Sequence, residues 1–200
     1  MGEEIITVIQ NHKLWIDSLG KDGERAYFEN VLFEKMKEIN LDLSQGSFVE
    51  CTFRKVFINC WDFYATKLFS IVFDDSLIES SVFVKADLFY AEFSNTKINM
   101  TNFSKADLSN ITFRNLKIEN SKFINALLDN IIFKDVHIKN VDFTGALIEN
   151  MLFDRNTTIS DIVGIDNAQV KSINIGTLDR PIYLKNEEAL RWIKNKAGLK

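Results

Sequence analysis

In the stretch KADLSNITFRNLKIENSKF, Lys105 to Phe123, an apolar residue returns every fifth place, at Leu108, Phe113, Ile118 and Phe123. Two places before each stands Ala106, Ile111, Leu116 or Ser121. Five is neither the 3.6 period of a helix nor the 2 of a strand. The register runs outward from Phe28 and Phe33 through Leu43 and Phe48 to Phe153, which makes 26 places, with Glu38 the one polar residue among them. A stripe of that period lies on one surface only if the chain changes direction every five residues.

A longer period is nested in the first. From Phe53 onward Phe alternates with an aliphatic residue: Phe53, Phe63, Phe73, Phe83, Phe93, Phe103, Phe113, Phe123, Phe133, Phe143 and Phe153. The aliphatic half splits into Ile58, Ile78, Ile98, Ile118 and Ile138 against Leu68, Leu88, Leu108 and Leu128, with Ile148 the one departure. Ala86, Ala106, Ala126 and Ala146 keep the same beat. The unit is therefore twenty residues built from four unlike fives, and repeats of that length mean a solenoid.

Geometry selects its shape. A ten-residue coil has a perimeter of at most ~33 Å, too short to enclose stacked Phe rings, whereas twenty residues give at most ~66 Å. Each five forms one side of a roughly square coil, with residues i and i−2 inward, three outward, and the corner at the break in strand alternation. Coils stack at ~4.8 Å, so like residues form columns: two of Phe, one of Leu, one of Ile. The 17 Phe against 4 Tyr and 3 Trp follow from those columns. Pro181 lies outside the coils, so each coil residue keeps its N–H for pairing.

The fold class expected is an all-β solenoid with short N- and C-terminal helices as caps, one domain in three parts: residues 1–25 as capping helix and turn, 26–155 as repeats, and 156–200 as an irregular closing coil and helix. A solenoid needs both ends covered. Ile5, Val8, Ile9, Trp15, Ile16 and Leu19 recur near helical spacing, with Gly20 as C-cap, and Trp15 is expected to plug the first coil. Glu38 implies a bulge or helical turn near Lys35–Asn40. In NEEALRWIKNKAG, Asn186 is the expected N-cap of a closing helix that is either a cap or a dimer contact.

Chemistry finds little purchase. The net charge of −4 is far from that of a basic nucleic-acid binder, and no direct nucleic-acid contact is expected. Cys51 and Cys60 lack CxxC spacing and read as reduced thiols of a cytoplasmic protein. No apolar run approaches membrane-spanning length. His12 and His137 have no partnering His or Cys, and no Gly-rich phosphate loop is present. No enzyme, cofactor or metal is expected. Asn110, Asn130 and Asn150, like Asn120 and Asn140, recur at spacing twenty and read as corner amides in hydrogen-bonded ladders. The candidate partner surface is Tyr64, Phe69, Phe89 and Tyr90 on the coils, with Trp192 and Ile193 at the end.

The residues from Ala26 to about Asp154 resemble the pentapeptide-repeat family, whose consensus is a small residue, any residue, then Leu or Phe, every five. The resemblance implies a right-handed quadrilateral β-helix, and about 6.5 coils imply a rod of ~31 Å. It also implies a bacterial setting and two kinds of function. One is a non-enzymatic scaffold that binds an unidentified protein, or itself, as a homodimer. The other is a DNA mimic that binds DNA gyrase or topoisomerase IV and confers quinolone resistance; such members dimerise through their C-terminal ends and carry an acidic stripe. Residues 26–155 hold 18 acidic and 14 basic side chains. A DNA mimic of this length needs ~18 net charges, at one per 1.7 Å. The scaffold is the better reading.

Overall fold

Phe33, Phe53, Phe73, Phe93, Phe113, Phe133 and Phe153 lie one above another in parallel register along one wall of the molecule. Their ring centroids are 4.5–5.4 Å apart. The computed structural model describes residues 2–199, and in it the chain winds into a β-solenoid of about seven turns with ~20 residues per turn and a short helix at each end. On the opposite wall Phe63, Phe83, Phe103, Phe123 and Phe143 stack at 4.7–5.6 Å. The two columns meet edge to face inside, as Phe73 and Phe83 do at 82°. The Ile column runs Ile58, Ile78, Ile98, Ile118, Ile138 and Ile159. All 21 core places named from the sequence are buried, each ring or aliphatic chain contributing ~1.5–3 kcal/mol of burial.

The corners explain why a side is five residues long. Every fifth residue from Asn30 to Asn150 has a positive φ, between +49° and +68°. One left-handed residue turns the strand through a corner and restores the in–out pattern on the next wall. That conformation costs an ordinary residue ~1–2 kcal/mol and costs Asn less. Asn accordingly fills ten of these 25 places, among them Asn95, Asn115, Asn120 and Asn140. Inside, the i−2 places are not merely small. Ser76, Ser81 and Ser121 are buried and accept hydrogen bonds from the backbone N–H groups of Val56, Trp61 and Thr101 one coil below, at 3.1–3.2 Å. These hydroxyls satisfy donors that would otherwise be orphaned in an apolar interior.

Four expectations are corrected. No bulge or helical turn forms at Lys35–Asn40: Lys35 and Asn40 take the corner conformation like the rest, and Ile39 bridges Asn59. Glu38 is half-buried and accepts a backbone hydrogen bond from Lys37 at its own carboxylate, 3.0 Å. Trp15 does not plug the first coil. The first helix, α1 (Glu3–Asp17), buries His12 instead, and Leu19 stands in solvent. Asn186 precedes the last helix, α2 (Glu187–Lys196), but makes no side-chain cap. Of the Asn ladders only part forms: Asn140 donates to Asn120 at 2.8 Å, whereas Asn130 and Asn150 turn to Asp129.

Past Phe153 one more coil forms with two single-residue insertions. Ile159 pairs with Ile138, 21 residues back, and Val170 with Ile148, 22 back. The second insertion is taken up by a 3-10 turn, Ile165–Asn167, entered through Gly164 at φ +72°. The strand Ser172–Asn174 then pairs antiparallel with Tyr183–Lys185, and α2 follows.

Candidate protein-contact surface

Wall and corner geometry bring three of the six proposed surface residues together. Phe69 and Phe89 occupy the outward i+1 place of successive coils, and their rings stack at 6.2 Å and 20°. Tyr90 is the next corner residue, at φ +62°, which turns its ring back over Phe89 at 4.3 Å and across Phe69 at 6.2 Å. Such cross-strand aromatic pairs stabilise a sheet surface by roughly 0.2–1 kcal/mol. Tyr90 is nevertheless 55% exposed and Phe69 38%. The rings form an open aromatic corner, with Ser70 and Asn110 at the neighbouring corner places.

The other three go elsewhere. Tyr64 is held by Lys85, whose ammonium lies 5.1 Å above the ring and donates to the hydroxyl at 2.8 Å. Trp192 packs its ring 5.4 Å from that of Phe153 under the Lys196 ammonium. Ile193 is 2% exposed. It lines the end of the core with Phe143, Ile159 and Ile165. Trp192 and Ile193 therefore pack on the last coil as part of the cap, with Ile193 buried and Trp192 partly exposed. The outward pairs Leu127 with Leu147 and Ile132 with Leu152 sit in register, with Leu152 buried.

Charge is arranged as local pairs. Asp74 lies 3.7 Å from Arg54, Asp75 3.9 Å from Lys55, and Glu92 3.9 Å from Arg114. Hydrogen bonds from Asn95 and Ser94, with Arg54 nearby, hold the Asp74 carboxyl below its usual range. At Asp154 burial works the other way, but the Thr157 hydroxyl and the backbone N–H groups of Asp135 and Thr157 outweigh it and lower the carboxyl. Burial raises Asp62. A shallow groove of about 390 Å³ runs past Asn95, Lys97, Asn115, Lys117 and His137. Its amides bond to each other, Asn115 to Asn95 at 2.8 Å, and His137 Nδ1 lies 2.7 Å from the Thr158 hydroxyl. Among the described residues no three of His, Cys, Asp and Glu converge as metal donors.

A family model for the pentapeptide repeat region matches residues 86–160, which take in the later coils of the solenoid. These residues form a pentapeptide-repeat region. Solved structures the chain is similar to include a trypsin-treated form of QnrB1, a plasmid-mediated fluoroquinolone resistance protein, at 12% identity and TM-score 0.48, covering 74% of this chain and 86% of that one. Another is HetL, a pentapeptide repeat protein involved in heterocyst differentiation regulation from the cyanobacterium Nostoc sp. strain PCC 7120, at 12% identity and TM-score 0.26, covering 84% and 95%. A third is a pentapeptide repeat protein of the Arabidopsis thaliana thylakoid lumen, at 20% identity and TM-score 0.29, covering 62% and 68%. No curated protein matches the sequence. The corner conformation is the feature that sequence reading missed, although Asn at ten of the 25 corner places was a signal for it.

Proposed function

We propose that this chain is a non-enzymatic rod that binds another protein through the aromatic corner of Phe69, Phe89 and Tyr90. The observation that carries the reading is placement. In a fold that sends nearly all its Phe side chains inward, two of them and a Tyr stand outside on adjacent coils. Exposed aromatic side chains held rigid by a scaffold are the residue types that anchor interfaces. Support for the DNA-mimic alternative is weaker, since Asp74, Asp75 and Glu92 each face a cation on the same wall.

The test compares partners captured from host extract by the wild-type rod and by the Phe69→Ser, Phe89→Ser, Tyr90→Ser triple variant, read by mass spectrometry. Loss of a specific partner by a variant with unchanged circular dichroism supports the reading. An identical set of partners overturns it.

A further inference from the structure

His12 is fully buried between α1 and the first coil, and its Nδ1 accepts the backbone N–H of Ala26 at 3.0 Å. A backbone N–H can only donate, so Nδ1 carries no proton and the ring is neutral with its hydrogen on Nε2. That Nε2 is buried and makes no hydrogen bond of ordinary geometry. The rest of the joint is built around this ring. Trp15 stacks on it at 5.8 Å and 10°, Arg25 lies 4.6 Å over Trp15, and Glu24 N–H reaches Asn11 O at 3.3 Å. Gly23 packs so closely under Asn11 O and Trp15 N that an added Cβ would collide with both. The joint is therefore a fitted one, with a titratable side chain at its centre.

We propose that His12 is a proton-operated latch, whose protonation at Nδ1 releases α1 from the first coil and bares the N-terminal end of the solenoid. A solvent proton added at Nδ1 turns the acceptor into a second donor facing Ala26 N–H, and the hydrogen bond that docks the helix is lost. The cation must also sit in a site closed to water, which is costly without a paired counter-charge. The charged groups that face His12 are Asp42, on the first coil, and Arg25, on the linker. They act in opposite directions. Burial outweighs Asp42 and the Ser44 backbone, so docked His12 binds its proton less readily than a free imidazole. The sign follows from that depression: docking is at full strength above the unfolded value of about 6.5, and it weakens as pH falls below it, because the undocked state then binds more protons. Release would uncover Ile5, Val8 and Ile9 together with the part of the core they pack against.

The experiment is hydrogen exchange of the full chain at pH 7.5 and pH 5.0, corrected for intrinsic rates. The α1 amides should lose about tenfold or more of their protection at pH 5.0, up to the ~30-fold that an unfolded pKa of about 6.5 allows. Coil amides should not change. His12→Asn keeps an acceptor for Ala26 N–H but cannot titrate, and its α1 protection should be the same at both pH values. Unchanged α1 protection in the wild type overturns the latch, and so does an equal loss in His12→Asn. If the variant fails to dock at either pH, proton NMR titration of wild-type His12 decides: a value at or above about 6.5 refutes the proposal and a depressed one sustains it.

Discussion

The indole N–H of Trp61 donates to the backbone carbonyl of Glu38 at 2.8 Å, from one coil up to the coil before it. Trp61 stands at an i−2 place, where the same wall later carries Ser81, Thr101 and Ser121. Glu38 is the one polar residue at a core place and is turned half outward. A large ring one coil away thus compensates a missing apolar side chain, and the buried indole finds its acceptor at the vacancy. Trp61→Ala should cost about 3–5 kcal/mol. Trp192→Ala, on the half-exposed cap, should cost clearly less. Urea denaturation of both variants measures this, and equal midpoints would refute the compensation.

The Phe columns should dominate stability. Phe103 is fully buried between Phe83 and Phe123, at 4.9 and 5.0 Å. Its truncation to Ala is expected to cost about 3–5 kcal/mol. Ser104→Ala, next door on the outside, should change stability by under about 1 kcal/mol. Ala106, 1% exposed, should resist enlargement, with Ala106→Leu costing ~1–3 kcal/mol. Thermal melts of the three variants supply the ranking.

Corner residues offer a test of backbone conformation. Asn120 has φ +52°, donates to Asn99 at 2.8 Å and accepts from Asn140 at 2.8 Å. Asn120→Val should cost about 1–3 kcal/mol, since a β-branched side chain resists positive φ. Asn120→Gly accepts the conformation and loses only the ladder bonds, so it should melt higher than the Val variant. The reverse order would mean that the positive φ at this corner does not penalise a β-branched side chain.

The parts legible in the sequence were those fixed by repetition. Phe113 and Phe133 announce each other at spacing twenty, because a column must be filled at every level. Corners were less legible, because the same backbone conformation accepts Lys105, Tyr90 or Met100 as well as Asn, which blurs any motif. The ends were least legible. Spacing points to Trp15 as the plug, and only the path of residues 18–26 brings the His12 imidazole to Ala26 N–H. The grouping of Phe69, Phe89 and Tyr90 is legible from their register, but the burial of Ile193 is not, because an amphipathic helix at the end of a rod reads alike as cap or as dimer contact.

That ambiguity gives a prediction for α2. With Ala189 and Ile193 buried against the last coil, a chain ending at Leu184 should expose the end of the core around Phe153 and Ile165. We expect a lower melting temperature and stronger binding of an apolar dye. A dimer held by α2 would instead show a halved mass in sedimentation with little change in dye binding.

The last prediction concerns topoisomerases. A rod that competes as DNA must present continuous negative charge, and its complex must weaken steeply with salt. On the wall that carries Asp74, Asp75, Glu92, Asp135 and Asp154, the cations Arg54, Lys55 and Arg114 lie within 4 Å of the first three acids. Exposed pairs of this kind contribute little to stability, about 0–1 kcal/mol each, but they cancel the field beyond a Debye length of about 8 Å. Little or no inhibition of gyrase supercoiling is therefore expected at micromolar protein, and no protection from a quinolone. Removing the cations should move the rod toward mimicry: Arg54→Gln, Lys55→Gln and Arg114→Gln together should raise any binding to gyrase and make it salt-dependent. Potent, salt-sensitive inhibition by the wild-type protein, lost when Asp74, Asp75, Glu92, Asp135 and Asp154 are neutralised in a variant that keeps its fold, would replace the scaffold reading with the mimic.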